Sequence, residues 1–252
     1  MPWILRPFSQ RTWLEAHRPE YESARARFED FVAALIIEIS AFDDLAGVTP
    51  KECMFRIFRD VRFSKDKTPY KTHMSAAIGP GGRKSNRFAY YLHVGPGNHS
   101  MLAGGCHEPS TEQLAKWRAA VAKSASAVKK IIGRKDFVAA FGGLTGEKSA
   151  KPPRGYPADH PELELLRLKE IAVMHTLADK ELLSPSIVQA SAAVFKTMKP
   201  FLDYLGSILP PHAVTAIAAE IYCQTERITP ITSSDINQYA LFSIHNIHDF
   251  FS

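Results

Sequence analysis

The chain has 252 residues, of which 45% are hydrophobic and 23% charged, and its formal net charge is +5. This length allows one domain with a full core, and the small basic excess fits an anionic partner without requiring one. The longest uninterrupted apolar run, residues 31–37, is far shorter than the roughly 20 residues of a membrane-spanning helix, and the first residues lack the pattern of a secretory signal. Three scattered cysteines favour reduced thiols over a disulfide framework, so we expect a cytoplasmic protein that does not enter a membrane.

The first half of the chain predicts one helix followed by short strands. Between residues 20 and 39 apolar side chains recur at intervals of mostly three or four, with charged residues between them, which is typical of an amphipathic helix. Residues 53–63 are rich in aromatic and β-branched residues and predict the first strand. Three short runs bounded by Gly, Pro or Asn predict an antiparallel meander, and they are residues 73–78, 88–94 and 99–103.

The second half predicts mainly helices. A Ser-x-x-Gln capping box at residues 110–113 starts a helix that is expected to end at Ile132. The other predicted elements are a short helix over residues 135–141, a helix that begins at Pro161, a strand over residues 171–177, and a last helix from Ser184 to Leu205. Together these elements predict an α+β fold in which the antiparallel meander packs against several helices. We expect residues 1–206 to form a single domain and residues 207–252 to form a loosely packed C-terminal extension.

Charged residues interrupt the predicted first strand. Strand alternation places Arg56, Asp60 and Arg62 on one face, while the opposite face is apolar except for Arg59. Two guanidinium groups on either side of one carboxylate keep spare donors, and paired donors of this kind bind carboxylate or phosphate groups. Arg59 is either a buried, paired arginine or the sign of a β-bulge that turns its side chain outward. The segment therefore predicts an anion-binding site.

The turn after this segment and a later strand extend the predicted site. Lys65, Lys67 and Lys71 would strengthen the positive field beside the arginines. In the strand over residues 88–94, Tyr91 and His93 share one face, from which His93 could reach the arginines as a proton carrier or hydrogen-bond donor. The candidate ligand-binding residues are Arg56, Arg59, Asp60, Arg62, Asp66, Lys67, Tyr70, Lys71, Tyr91 and His93.

Other kinds of site are not indicated. The histidines and the cysteine between residues 93 and 107 include no pair with tight ligand spacing apart from the adjacent Cys106 and His107, so no metal site is predicted. The segment GPGGRKS at residues 79–85 has Arg83 where a phosphate-binding loop needs its second glycine, and a strand rather than a helix follows. No serine lies in the GxSxG pattern of a hydrolase nucleophile, and no cofactor is indicated.

Several blocks of the sequence resemble one bacterial family. The run Arg56-x-x-Arg59-Asp60-x-Arg62-Phe63, followed by Asp66-Lys67 and Tyr70, resembles the signature of the family of domain of unknown function 2461. Further segments are similar to blocks of that family in the same order, and they are WLEAHRPEY, YYLHVGPG, the Gly104-Gly105 pair, Gln113-Leu114, and PPRGYPADHP through LLRLK. The resemblance covers about residues 13–205 and implies a shared fold and site, but no activity. Cys106-His107 stands where the resemblance implies apolar or aromatic residues.

Three functions are open on these residues. In the first, the charged strand and the turn after it hold a small anionic ligand that carries a phosphate or a carboxylate, and the same donors serve either binding or catalysis. In the second, the basic turn together with Tyr90 and Tyr91 binds single-stranded nucleic acid through phosphate contacts and base stacking. In the third, the protein is a scaffold whose charged strand forms an internal ion-pair network. We favour the first, with binding and catalysis both open.

Overall fold

The structure, a computed structural model, describes residues 11–59, 62, 69–85 and 87–209. The described residues form one four-stranded antiparallel sheet in the order β1-β2-β3-β4, with β1 Met74–Ile78, β2 Tyr90–Val94, β3 Ser100–Cys106 and β4 Ile171–Leu177. The predicted α+β fold with an antiparallel meander is therefore confirmed. The predicted C-terminal extension, residues 207–252, lies outside the described residues from position 210 onward.

Helices surround one side of this sheet. In chain order they are α1 Arg11–Ala16, α2 Arg18–Ser40, α3 Pro50–Cys53, α4 Thr111–Lys123, α5 Ser126–Ile132, α6 Lys135–Phe141, α7 Leu163–Leu166, α8 Asp179–Leu182 and α9 Ile187–Ile208. The two long helices, α2 and α9, pack on each other, and they contact strands β1 and β3 respectively. Within the described ranges, no helix combines the length and the apolar character that crossing a membrane requires.

The main core lies between the sheet and the two long helices. Tyr90 on β2 is buried there, and its ring centroid lies 5.1 Å from that of Phe195 on α9. The Tyr90 hydroxyl donates a hydrogen bond of 2.8 Å to Oδ2 of Asp43, which follows α2. Leu92 on the same strand and Leu102 on β3 point into the same core. Because side chains alternate along a strand, the residues between these positions face the other side of the sheet.

Most predicted elements are confirmed. The last helix, α9, is shifted by three residues at each end from the predicted range of 184–205, and two other helices differ more in extent. β4 and α6 have the predicted bounds, and the predicted capping box starts α4, since the Gln113 backbone N–H donates to Ser110 Oγ at 3.2 Å. The predicted helix over residues 111–132 is broken at Ser124, whose hydroxyl lies 2.9 Å from that of Ser126. Local serine hydrogen bonds of this kind compete with helix continuation. The segment after Pro161 forms only the four-residue helix α7.

The predicted first strand, residues 53–63, is wrong in its extent and regularity. Its first residue ends helix α3, which begins at Pro50, where a proline is favoured because a first-turn N–H needs no helical partner. In the described part of residues 54–63, the only strand-like pairing consists of two isolated antiparallel bridges, Met54 with Ala76 and Phe58 with Tyr70. We call residues 54–59 the edge segment, because it lies beside β1 at the free edge of the sheet.

The strand that pairs with the edge segment contains a bulge. Between the two bridges the edge segment advances by four residues, whereas its partner, which leads into β1, advances by six. Two extra residues therefore lie on the partner side, and a bulge of this kind re-aims the side chains around it. Lys71 and His73 lie in this stretch and are both buried, while Thr72 between them is exposed. This stretch therefore places two basic side chains in the protein interior.

Arg83 holds the start of the edge segment in place. Its guanidinium Nη1 donates to the carbonyl oxygens of Lys51 at 2.7 Å, Glu52 at 3.0 Å and Met54 at 3.0 Å. These carbonyl groups belong to the end of α3 and to the first residue of the edge segment, where no further helical turn would satisfy them. The turn after β1 therefore fixes the position from which the edge segment leaves α3.

Arg83→Met is expected to lower the free energy of unfolding by about 1–3 kcal/mol, because several carbonyl groups lose their charged donor. Lys84→Met is the matched control, since Lys84 is the next residue of the same turn and is exposed. We expect the control to stay within about 0.5 kcal/mol of the wild type. Urea unfolding measures both values, and equal stability of the two variants would contradict the anchoring role of Arg83.

Candidate functional site

The face of the sheet opposite the long helices carries several polar groups. Ser75 on β1 pairs with His93 on β2, and Tyr91 precedes His93 by two residues on the same strand. Directly paired residues and residues two apart share one face of a sheet, so the three side chains lie together. Ala103 of β3 and Phe55 of the edge segment pack with Tyr91 in a small apolar cluster that is separate from the main core.

Four basic side chains, which we call the basic cluster, meet at this face, and they are Arg59, Lys71, His73 and His93. The rings of His73 and His93 stack with their centroids 4.0 Å apart and an interplanar angle of 26°. The Lys71 Nζ lies 5.7 Å from the centroid of the Phe55 ring, a cation–π contact. Lys71 is 7% exposed, His73 9% and His93 1%, so these three side chains are largely removed from water. Arg59 is half-buried.

Both histidines of the basic cluster are neutral at pH 7. Burial, followed by the neighbouring His93, Lys71 and Arg59, lowers the pKa of His73 to about 2. Burial, followed by His99 and Lys71, lowers the pKa of His93 to about 4. Low dielectric disfavours the charged form of an imidazole, and positive neighbours disfavour it further. The basic cluster therefore combines the positive charges of Lys71 and Arg59 with two uncharged imidazoles.

The position of the His93 ring is constrained on two sides. Its Nδ1 lies 3.3 Å from the hydroxyl oxygen of Tyr91, within hydrogen-bond distance. A Cβ atom at Gly95 would lie 3.0 Å from its Nε2, which shows that the backbone of Gly95 packs closely against the ring edge. The prediction that Tyr91 and His93 share one strand face is confirmed.

Ser75 contributes a polar group with no hydrogen-bond partner in the described part of the chain. The side chain is only 2% exposed, yet its Oγ neither donates to nor accepts from any group described. A buried hydroxyl in this state costs about 1–3 kcal/mol, and native proteins keep few such groups. Because Ser75 faces the same side as its partner His93, its hydroxyl lies on the face that carries the basic cluster.

Four of the residues predicted from the sequence lie at this face, and they are Arg59, Lys71, Tyr91 and His93. Arg59 was expected to be either buried and paired or turned outward by a bulge in its own strand. It is half-buried, and the extra residues lie instead in the partner strand. The bulge therefore lies at Lys71 and His73 rather than at Arg59.

The other described candidates occupy different positions. Arg56 and Arg62 are exposed, and the Arg56 guanidinium forms no ion pair or hydrogen bond with any described residue. Tyr70 is buried, with its ring centroid 5.3 Å from that of Phe58. The expected line of charges along one strand face needs a continuous strand over residues 53–63, which the described residues do not form. The remaining candidates, Asp60, Asp66 and Lys67, lie outside the described residues.

Sequence reasoning missed His73 and Ser75 as members of the site. Alternation within the predicted strand over residues 73–78 does place both on one face, and this is the signal that could have identified them. The signal was not sufficient, because only the pairing of β1 with β2 brings Ser75 opposite His93.

The two adjacent tyrosines do not form the predicted surface for stacking nucleic-acid bases. Consecutive residues of a strand point to opposite faces. Tyr90 lies in the main core and is 1% exposed, whereas Tyr91 lies on the other face and is 8% exposed. Neither ring is accessible enough to stack with a base in this arrangement.

Thiol and metal chemistry find no support among the described side chains. Burial raises the pKa of the Cys53 thiol to about 11 and that of the Cys106 thiol to about 12, which keeps both protonated and poorly nucleophilic at pH 7. Within the same part of the chain, no three His, Cys, Asp or Glu side chains are grouped so that they could hold a metal ion.

Comparison with known proteins places most of the chain in one family. A family model described as conserved hypothetical protein, domain of unknown function 2461, matches residues 5–204. The matched range includes all four strands and the whole basic cluster. No curated protein and no solved structure matches the chain.

Proposed function

This chain belongs to the family of domain of unknown function 2461, as its sequence blocks predicted, and we propose that it binds a small anionic ligand at the basic cluster. The ligand would carry a phosphate or a carboxylate group. The observation that carries the proposal is the buried Ser75 hydroxyl, which has no hydrogen-bond partner among the described residues and faces the same side as the basic cluster. An oxygen of an anion would accept from this hydroxyl and recover the cost of burying it.

The charges of the basic cluster favour an anion over a neutral molecule or a cation. Lys71 is 7% exposed, so its charge acts in a region that is largely removed from water, where charges interact more strongly. Lys71 and Arg59 both lower the pKa of His73, so their positive charges act on the same small region. An anion in that region would be attracted by both groups.

The two alternatives to a small anion have less support. An internal ion-pair network that includes every arginine of the segment is not supported at Arg56, which is exposed and whose guanidinium pairs with no described residue. Single-stranded nucleic acid would need exposed rings for base stacking, and Tyr90 and Tyr91 are buried on opposite faces. We therefore favour the small anion. The experiment below also tests single-stranded nucleic acid as the ligand.

The proposal covers a bound effector and a substrate alike. Donors that bind an anion also stabilise negative charge that develops in a transition state, so the basic cluster and Ser75 could serve a reaction. We expect the protein to act in the cytoplasm, because Cys53 and Cys106 are free thiols.

The decisive comparison is between Ser75→Ala and Ser191→Ala. Ser191 on α9 is 0% exposed and its hydroxyl also lacks a partner among the described residues, but it belongs to the helix layer. Each substitution removes an unsatisfied buried hydroxyl, so each is expected to raise the free energy of unfolding by about 1 kcal/mol without ligand. Only Ser75→Ala is expected to weaken anion binding, by about tenfold, because it removes one donor to a charged oxygen.

Thermal-shift titrations with phosphate, sulfate, small carboxylates, sugar phosphates, nucleotides and oligonucleotides would measure these effects. A ligand at 100 times its Kd adds about 2.7 kcal/mol to the stability of the folded state. Lys71→Met is expected to abolish the response to anions, and Lys84→Met, at an exposed position in the turn after β1, is expected to retain it. The proposal fails if no small anion stabilises the wild type, or if Ser75→Ala and Ser191→Ala bind anions equally well. Stabilisation by oligonucleotides alone would favour the nucleic-acid alternative.

A further inference from the structure

We infer that anion binding at the basic cluster is coupled to the uptake of one proton by His93, so that the affinity of the site for its anion increases as the pH falls. The inference rests on the proposed function and adds how that same site is regulated. It starts from two stacked imidazole rings, that of His93 on β2 and that of His73 just before β1. Their centroids lie 4.0 Å apart, and both rings are buried beside the buried side chain of Lys71.

Several segments of the described part of the chain bring charged and titratable groups to His93. Lys71 and His73 lie in the bulge before β1, Tyr91 lies on β2, and His99 lies in the turn that leads to β3. Arg59 of the edge segment acts on the same pair through His73. The lysine, the arginine and the other histidines oppose a positive charge on His93, so the ring is neutral while the site holds no anion.

A bound anion would reverse this balance. An opposite charge within about 4–6 Å favours the charged form of a titratable group and moves its pKa by about 1–3. The pKa of His93, about 4 without an anion, would therefore be higher in the complex. The stacked arrangement favours one proton for the two rings, because two like charges at a centroid distance of 4.0 Å would repel each other strongly.

His93 is the better acceptor of this proton for two reasons. Its Nδ1 lies 3.3 Å from the Tyr91 hydroxyl oxygen, which can accept a hydrogen bond from the protonated ring. Its pKa is also the higher of the two, about 4 against about 2 for His73, so it is protonated first. The proton comes from solvent on binding and returns to solvent when the anion leaves.

The test uses sulfate as the probe, because sulfate keeps both of its charges between pH 7 and 5.5 and any pH dependence then belongs to the protein. Calorimetric titration of the full chain is expected to give a Kd for sulfate that is about fivefold lower at pH 5.5 than at pH 7. Repeating the titration in two buffers with different ionisation enthalpies is expected to show net proton uptake on binding. His93→Gln is expected to remove both effects.

The matched control is His160→Gln. The His160 Nδ1 accepts from the backbone N–H of Glu162 in the segment before α7, outside the basic cluster. This variant is expected to keep the pH dependence of the wild type, and its loss in His160→Gln would overturn the assignment to His93.

Nitrogen NMR of the imidazole groups tests the inference on the wild type, even if His93→Gln does not fold. At pH 5.5 the His93 ring is expected to be neutral without sulfate and substantially protonated with saturating sulfate. Sulfate binding with a Kd that does not change with pH, or a His93 ring that stays neutral in the complex, would overturn the coupling but leave the anion site intact. If sulfate and phosphate show no saturable binding at any pH, the proposed function itself falls.

Discussion

Lowering the pH from 6.5 to about 4 is expected to remove about 3 kcal/mol of stability through His93 alone. The unfolded chain binds a proton on this imidazole near pH 6.5, whereas the folded protein excludes the proton until its own lower pKa is reached. The stability from the neutral, buried ring is therefore complete above pH 6.5 and is lost as the pH falls toward about 4. His73, with its pKa lowered to about 2, is expected to add a loss of stability of similar size over the same pH range.

Urea unfolding of the wild type and of His93→Gln at pH 7, 6 and 5 would measure this effect. The wild type should lose up to about 1.4 kcal/mol more per pH unit than the variant, because one titrating histidine has been removed. Exposed carboxylates also respond to acid, such as Glu52 and Glu164, whose pKa values are lowered first by hydrogen bonds with Thr49 and Lys148. Both proteins retain these groups, so their contribution cancels. Parallel loss of stability in the two proteins would mean that His93 is not held neutral by the fold.

Gly105→Ala is expected to destabilise the protein by about 3 kcal/mol or more. Gly105 on β3 has a φ of +125°, a backbone conformation that residues with a Cβ rarely adopt. A Cβ at this position would lie 2.3 Å from the carbonyl oxygen of Ile171 and 2.7 Å from the Cα of Ala172. These atoms belong to the backbone of the paired strand β4, so relief of the clash would require the two strands to separate locally.

Gly142→Ala separates the clash from the backbone strain. Gly142 ends α6 with a φ of +68°, but a Cβ there would meet nothing within 4 Å. We expect a loss of about 1 kcal/mol, which reflects the left-handed conformation alone. Equal losses in Gly105→Ala and Gly142→Ala, measured by urea or thermal unfolding, would rule out close packing of β3 on β4 as the larger effect.

Gly104, the neighbouring residue, requires a glycine for a different reason. A Cβ at Gly104 would lie 2.4 Å from Sδ of Met198 and 3.2 Å from Cδ2 of Leu202, both on α9. Gly104 thus lets the long helix approach the sheet on one face, and Gly105 lets β4 approach β3. The Gly104-Gly105 pair, which resembled a family block in the sequence, is explained by these two close contacts.

Elements whose signal is local were predicted well. The helix over residues 20–39 lies within α2, and both β4 and α6 have the predicted bounds. Each of these segments carries its own periodic pattern or clear end signals, so the chain itself specifies the element. The meander also follows from local signals, because short strands separated by turn residues pair with their neighbours in sequence.

The prediction of the first strand was wrong because the conformation of this segment depends on the residues that pack against it. Pro50 allows a helical turn before the edge segment, and the partner strand contains two residues more than the edge segment between their bridges. A bulge in one strand is a property of the pair, and it cannot be read from the alternation of either strand alone. The expected line of charges along one face depended on an unbroken strand, which the described residues do not form.

The candidate site was predicted in part, for the same physical reason. Arg59, Lys71, Tyr91 and His93 were identified because charged, tyrosine and histidine residues in a strand-forming region need partners or a function. Ser75 and His73 were not predicted as site residues, since a serine and a histidine in a short strand have no distinctive spacing. Their significance comes from burial and from cross-strand contact with His93.

The amino-acid sequence by itself determined the α+β class, the order of most helices and strands, the family, and the basic region that carries the candidate site. Only the tertiary structure decided which basic groups are buried together, that two imidazoles stack, and that the Ser75 hydroxyl is left without a partner among the described residues. The physical reason is the range of the forces involved. Periodicity and capping act over a few residues along the chain, whereas burial, pKa values and hydrogen-bond satisfaction depend on which distant segments the fold brings into contact.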